Sequence, residues 1–350
     1  MKQAEFQNLL MQWYKKEARV LPWRSDPTPY KVWISEIMLQ QTRVDTVIPY
    51  FLRFIEEVPS VEALAQIEEE KLLKLWQGLG YYNRALNLKK AAVKIVGEFN
   101  GEIPSEMKSL MSLPGIGVYT AGAIASIAFG KAVPAVDGNV LRIIARVTAS
   151  REDISRPATK KVFEPLVVQL IAKDNPGDFN QALMDLGATI CLPNGEPKCA
   201  ECPVNSCCEA YRKGFTFELP VQSAKKARKI LKKTVFVISY HERYALKQRP
   251  AKGLLANLWE FPNVEGHLNA EQSKKALNSL GLVAFEMSKL PASKHIFTHL
   301  EWHMKSYLVK ATEIQASSDL TWATKEEISY RYSIPTAFKK VVADVEEIVL

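Results

Sequence analysis

No stretch of this 350-residue chain is apolar for long enough to cross a bilayer. Its first residues, MKQAEFQNLLMQWYKKE, alternate charged and apolar groups at helical spacing and lack the apolar core of a signal peptide. Both absences argue against secretion and membrane insertion, so a cytoplasmic protein is expected. Cysteine is missing from nearly all of the sequence, because all five cysteines fall between Cys191 and Cys208. A disulfide framework would spread over the chain, whereas local bunching points to a metal site. Acidic residues are in deficit, 38 Asp and Glu against 46 Lys and Arg, a formal charge of +8. That excess suits a polyanionic partner but also fits many proteins that never touch one. Composition is otherwise that of a globular protein, and the length allows two domains with separate cores.

What is present is organised around SLPGIGVYTAGAIASIAFGKAVPAVD, residues 112–137. Leu113-Pro114-Gly115-Ile116-Gly117 interrupts two helical segments with a proline and two glycines, so it reads as a tight turn between helices. The second helix opens at Val118 with free backbone N–H groups and its positive dipole end outward, which is a phosphate site. Small residues Ala121, Gly122, Ala123 and Ala125 permit close helix contact, and Gly130 is placed to end the helix. Asp137, in Val-Asp-Gly-Asn, directly precedes another apolar helical run, where the dipole favours the ionised carboxylate.

A second carboxyl group lies upstream. In the predicted helix from Tyr30 to about Gln41, Val32, Trp33, Ile34, Ile37, Met38 and Leu39 surround Glu36 with apolar bulk. A desolvated carboxyl has a raised pKa, as a general acid at neutral pH requires; a salt-bridged glutamate inside a helical lobe fits this helix equally well. Gln77-Gly78-Leu79-Gly80-Tyr81-Tyr82 is a Gly-X-Gly loop presenting an apolar residue and an aromatic, suited to wedging into a base stack. The cysteines follow as Cys191, Cys199, Cys202, Cys207 and Cys208; with Cys208 as fourth ligand the gaps are seven, two and five residues. Four thiolates serve zinc or an iron–sulfur cluster, and the spacing leaves both open.

The hairpin, Gly/Pro-rich loop and aspartate resemble the helix-hairpin-helix superfamily of DNA base-excision glycosylases. LPGIGVYTAGAI, the upstream WISEIMLQQTRV and the cysteine cluster together are most similar to adenine DNA glycosylases of the MutY type, and the likeness covers most of the chain. The resemblance implies double-stranded DNA with adenine opposite 8-oxoguanine or guanine as partner, and a monomer without membrane association. It assigns Glu36 as acid, Asp137 as the carboxylate that stabilises or captures the sugar cation, and Tyr119 and Asn139 as their supports. It puts Trp23 and Arg24 beside the extruded base, Gln181 on the adenine, Gln41 and Thr42 near the opposing base, Gly115 and Gly117 in the phosphate hairpin, and Tyr81 at the wedge, next to the Leu79 that the loop itself presents. It implies a 4Fe-4S cluster on Cys191, Cys199, Cys202 and Cys208, with Cys207 a bystander; the first gap is one residue longer than the family's six.

From Leu219-Pro220 the composition shifts. Lys225, Lys226, Arg228, Lys229, Lys232 and Lys233 form an acid-free run that reads as a linker able to meet the DNA backbone as well. Thr234–Tyr240 and Tyr244–Lys247 alternate like a hairpin. The segment RPAKGLLANLWEFP, residues 249–262, resembles the Nudix-like C-terminal domain of MutY proteins, with Asn257 where glycine is usual. The glutamate-dense helix of a working Nudix hydrolase is missing, since Asn269–Leu280 holds only Glu271. By the same resemblance Thr298 and His299, after Phe297, inspect 8-oxoguanine, with threonine replacing the usual serine.

The expected architecture is a mainly α, two-lobed helix-hairpin-helix glycosylase domain with an iron–sulfur cluster over residues 1–218, a basic linker over 219–233, and a smaller α+β Nudix-like domain over 234–350. An endonuclease III-like glycosylase and lyase is the first rival, but it needs a lysine where Tyr119 stands, and a phenol forms no Schiff base. A non-catalytic hairpin scaffold has no use for Glu36 and Asp137, and a Nudix hydrolase lacks its glutamates.

Overall fold

Phe6, Leu10 and Tyr14 recur every four residues along the Gln3–Glu17 helix, and all three are buried. In the computed structural model, which describes residues 3–224, 227–315, 319–343 and 345, that stripe packs on one half of a helical unit. Its partners are Val140, Ile143 and Ile144 of the Gly138–Val147 helix, Phe163 and Val167 of Pro157–Leu170, and Phe179, Leu183 and Leu186 of Pro176–Thr189. Cys191, Cys202, Cys207 and Cys208 lie against the same core. The Pro29–Leu39 helix instead packs on Val44–Glu57 and on Val118–Phe129, and the last of these also meets Pro176–Thr189. Two lobes therefore share the helix that follows the hairpin.

Packing within the chain divides it into two compact units, Met1–Gln66 with Asn87–Ala224, and Ile67–Leu86 with Lys225–Leu350. Within the first, the loop that delivers Asp137 is fixed by close backbone approach and by one amide. A Cβ on Gly122 would come within 2.3 Å of the Pro134 carbonyl oxygen, so only glycine lets helix and loop touch there. Asn180, buried, accepts from the Ala135 N–H and donates to Ser126 Oγ and the Val133 carbonyl. Gly130 ends the Val118–Phe129 helix at φ 64°, as its position in the sequence predicts.

The second unit is built on a mixed sheet of β1 Lys229–Tyr240, β2 Arg243–Gln248, β3 Trp259–Glu260, β4 Asn263–Glu265, β5 Leu282–Ile296, β6 Leu300–Ile314 and β7 Thr321–Ala323. The order is β3-β2-β1-β6-β5, with β4 paired to β1 and β7 to β2. β1 and β6 are parallel and the other pairs antiparallel. Val235 and Val237 face a core with Leu246, Trp302, Met304 and Phe338, while Phe236 and Ile238 face another with Leu277, Tyr307 and Val309. The central strand is thus covered on both sides, which its apolar run Val-Phe-Val-Ile allows.

The expected hairpin forms, but β1 starts earlier than its alternation suggests. Pairing with β6 runs from Lys229 with Leu300 onward, so Lys229, Lys232 and Lys233 of the basic run are strand residues. Lys233 lies 4.7 Å from the Trp302 ring and donates to Asn263 Oδ1. Lys225 and Lys226 of that run lie outside the described residues.

The Glu69–Leu75 helix and the glycine loop after it belong to this second unit. Lys74 Nζ donates to the Ile328 and Tyr332 carbonyls at 3.1 and 3.2 Å, and Asn257 Nδ2 donates to Glu69 Oε1 at 2.7 Å.

Candidate active site

The Pro29–Leu39 helix is apolar on nearly every side and carries Glu36 into the protein, where it is 4 % exposed. Tyr119, in the first turn after the hairpin, donates its hydroxyl to Glu36 Oε2 at 2.9 Å. Burial pushes the Glu36 carboxyl up to about 7; Tyr119's hydrogen bond and the Arg24 cation pull it down, and Asp137 pushes it further up. A carboxyl of that pKa still carries a proton on a good share of molecules at neutral pH.

Asp137 is the N-cap of the Gly138–Val147 helix, accepting from the Val140 N–H at 2.8 Å and from Asn139 Nδ2 at 2.8 Å. The expectation that the helix start favours its charged form holds for these bonds. Burial nevertheless outweighs them, and its pKa lies above the ordinary aspartate value. Arg142 extends this hydrogen-bonded chain: Nη2 donates to Asn139 Oδ1 and to the Gly187 carbonyl, and Nε donates to the Cys191 carbonyl.

Both carboxylates, with Tyr119 and Asn139, line one pocket of about 170 Å³. Trp23, Arg24 and Gln181 line it too, as the resemblance implies; so does Thr42, which the resemblance puts near the opposing base, together with Arg19, Met184 and Ser35, which the sequence did not single out. Gln41 is exposed beside the pocket at φ 58°. The residue that sequence reasoning missed is Asp185. It is fully buried and holds Arg24 Nη1 and Nη2 at 2.7 and 2.9 Å and Arg19 Nε at 2.8 Å. Its position one turn after Gln181 on an amphipathic helix was the available signal.

At the hairpin, Gly115 has φ 80° and Gly117 is extended. No side chain caps the Val118 helix, and a Cβ on Gly117 would meet no described atom. The first-turn N–H groups are therefore open to an anion.

In the second unit Tyr81 is 47 % exposed at φ 47°, and its hydroxyl is 2.7 Å from Thr298 Oγ1. Arg84 steadies the loop by donating to the Leu79 and Gly80 carbonyls. Leu79, expected to be presented with Tyr81, is instead buried, because the loop turns its side chain inward. Thr298 and His299 are exposed between β5 and β6, and the His299 carbonyl accepts from the Lys229 N–H.

Cys191, Cys199, Cys202 and Cys208 line one cavity with Ile143, Val147 and Val204, and Cys207 does not. Among the described residues no three His, Cys, Asp or Glu side chains stand at metal-ligating separation. The donor set, four thiols in apolar walls with Arg146 Nη1 3.2 Å from Cys191 Sγ, fits a soft metal or an iron–sulfur cluster.

Residues 34–168 match the family model of the HhH-GPD superfamily of base excision DNA repair proteins, and residues 234–344 match a NUDIX domain. The fold is that of this class of DNA glycosylase. Among solved structures, a thermostable thymine-DNA glycosylase is 30% identical with a TM-score of 0.56, covering 61% of this chain and 97% of its own. The adenine DNA glycosylase of Mus musculus is 36% identical over 98% of this chain and 78% of its own length. That of Buchnera aphidicola subsp. Schizaphis graminum is 38% identical over 87% of each. The chain belongs to the adenine DNA glycosylase family.

Proposed function

We propose that this enzyme removes adenine mispaired with 8-oxoguanine or guanine by hydrolysing the N-glycosidic bond of an extruded nucleotide. The observation that carries the reading is that one pocket holds Glu36, with a pKa near 7, and Asp137, held by two N–H donors. Glu36 delivers its proton to the departing base, at N7 by family resemblance, while Tyr119 keeps the carboxyl oriented and stabilises the carboxylate left behind. Asp137 offsets the positive charge that develops on the sugar, and Asn139 holds it in place. This division of labour between two carboxylates is that of glycoside hydrolysis. Gln181, Trp23 and Arg24 hold the base; the Gly115–Gly117 hairpin takes a backbone phosphate.

Among the described residues no lysine lines the pocket, which supports a monofunctional enzyme over a lyase that needs an amine nucleophile. Tyr81, beside Thr298, is the wedge, and Thr298 with His299 reads the opposing lesion. Cys191, Cys199, Cys202 and Cys208 hold a 4Fe-4S cluster that serves structure and takes no part in the bond cleavage. We assign chemistry to residues 1–218, a basic connection to 219–228 and lesion reading to the domain that begins with β1 at Lys229, in a monomer acting on DNA in the cytoplasm.

The test is incubation with duplexes carrying adenine opposite 8-oxoguanine, guanine or thymine, followed by alkaline cleavage of abasic sites. Strand breaks in the first two and not in the third are expected. Breaks before alkali, or none in any duplex, would overturn the reading.

A further inference from the structure

Arg19 and Arg24 both line the pocket that holds Glu36, and two cations there threaten the acid. A guanidinium free to reach Glu36 would pair with its carboxylate and drain it of its proton at neutral pH. Asp185 answers both cations at once. Its side chain is 1 % exposed, Arg19 Nη2 and Arg24 Nη1 stand 2.6 and 2.7 Å from its oxygens, and the Arg19 backbone N–H also donates to it at 3.2 Å. Burial would raise the Asp185 pKa, but the hydrogen bonds and charges of Arg24 and Arg19 hold it below the usual aspartate value, so it is a carboxylate.

The bidentate grip uses both terminal nitrogens of Arg24. Its Nε is buried with no hydrogen-bond partner among the described residues. The ion pair spans 161 residues of sequence, and Asp185 sits on the same helix as the pocket residues Gln181, Met184 and Ala188.

We propose that Asp185 is a positioning residue for base excision: it clamps Arg24 and Arg19 to the pocket wall and compensates their charge so that Glu36 keeps its proton. This deepens the reading of the pocket as an excision site and rests on it. The other groups that act on Glu36 are Tyr119 and Asp137, and the clamp leaves both untouched.

The test is Asp185→Asn in the full-length protein. Single-turnover excision of adenine opposite 8-oxoguanine is followed from pH 5 to 9. An uncompensated cation within about 4–6 Å of a carboxyl lowers its pKa by about one unit or more. The alkaline limb should therefore move down by about one pH unit, with roughly a tenfold loss above it and a much smaller loss on the acid plateau. A uniform loss at every pH would show that Asp185 serves the fold alone and would overturn the proposal.

A second readout needs no activity. Glu36 has a folded pKa raised to about 7, so its protonation stabilises the native state fully below the unfolded value and that stability disappears as pH rises through 7. The difference in Tm between the parent and Glu36→Gln should accordingly fall between pH 5 and 7. In the Asp185→Asn background the fall should be smaller and end at lower pH; an identical profile in both backgrounds would sink the clamp. If Asp185→Asn does not fold, Arg24→Gln takes its place: with one pocket cation gone, the Glu36 transition should move up in pH, and no movement would show that Arg24 does not act on Glu36. Failure of the parent to excise adenine in any mispair would instead count against the excision reading, while the Tm profiles still decide whether the clamp governs Glu36.

Discussion

Glu36 is 4 % exposed in the lining of a pocket, whereas Tyr81 is 47 % exposed on a loop with Thr298 beside it. The first region collects side chains from several helical and loop segments and strips them of water, which is what moves a glutamate pKa to about 7. The second keeps its hydroxyls at the surface. Proton transfer needs a group whose charge is costly, and recognition of a base edge needs donors and acceptors that solvent reaches until DNA displaces it. Loss of a buried group should therefore cost orders of magnitude in rate, and loss of an exposed one should cost discrimination.

The sharpest way to break that contrast is Glu36→Gln. The amide keeps the shape and has no proton to give, so excision should fall by about 10²–10⁴-fold while duplex binding by gel shift stays near the parent value. Substantial residual excision would remove Glu36 from the acid role. Asp137→Asn should behave similarly, since a neutral amide cannot offset a sugar cation.

The exposed region predicts a different signature. With Thr298 and His299 both changed to Ala, the preference for adenine opposite 8-oxoguanine over guanine should shrink by about 1–3 kcal/mol for each hydrogen bond to the lesion that disappears, roughly 5- to 150-fold. Excision of adenine opposite guanine should hardly change. Equal losses on both mispairs would mean that the loop holds DNA without reading it.

Tyr119→Phe tests how the pocket tunes its acid. Tyr119 donates to Glu36 and so favours the carboxylate; without that bond the Glu36 pKa should climb above about 7. The alkaline limb of the single-turnover profile should move up by about one pH unit, with a several-fold lower plateau because the carboxyl is less well oriented. For the cysteines, the purified protein should be brown with about four iron and four sulfide per chain. Cys208→Ala should lose the metal and Tm together, and Cys207→Ala should lose neither. A colourless protein with stoichiometric zinc would show that the longer gap after Cys191 changes the metal.

Much of the pocket was legible in the sequence because its parts are local motifs. The hairpin, the helix opening at Val118, Gly130 as its end and Asp137 as an N-cap all follow from rules spanning about five residues or fewer. The place of Asp185 one turn after Gln181 could be read, but its partners could not: they lie 161 and 166 residues away, and an ion pair leaves no spacing to read. The start of β1 at Lys229 was hidden for a related reason, since parallel pairing with β6 recruits lysines that look like linker. Leu79 misled because a Gly-X-Gly loop fixes neither which side chain faces out nor which one packs inward. The grouping of residues 67–86 with the second unit rests on Lys74, Glu69 and Tyr81 meeting partners about 180 to 260 residues further on.

The smallest expected effect lies at Asn257, where the family resemblance has glycine. Asn257 adopts φ 61°, a left-handed conformation in which asparagine is less strained than most residues but glycine is not strained at all. Its side chain compensates by donating to Glu69 Oε1 at 2.7 Å, an exposed hydrogen bond of the kind that contributes about 0.5–1.5 kcal/mol. Asn257→Gly removes the strain and the hydrogen bond together while loosening the unfolded chain, so the net change in stability should stay within about 0.5 kcal/mol. Asn257→Ala keeps the strain and loses the bond, and should be about 1 kcal/mol worse than the glycine variant in urea unfolding. The pair of variants separates backbone from side chain: if alanine and glycine cost the same, the left-handed backbone is unimportant and the bond to Glu69 accounts for the whole effect. If alanine alone is costly, as expected, Asn257 is a near-neutral substitute for glycine that gains an anchor for the helix preceding the Tyr81 loop, and the discrimination lost in the Thr298 and His299 variant should be unaffected by it.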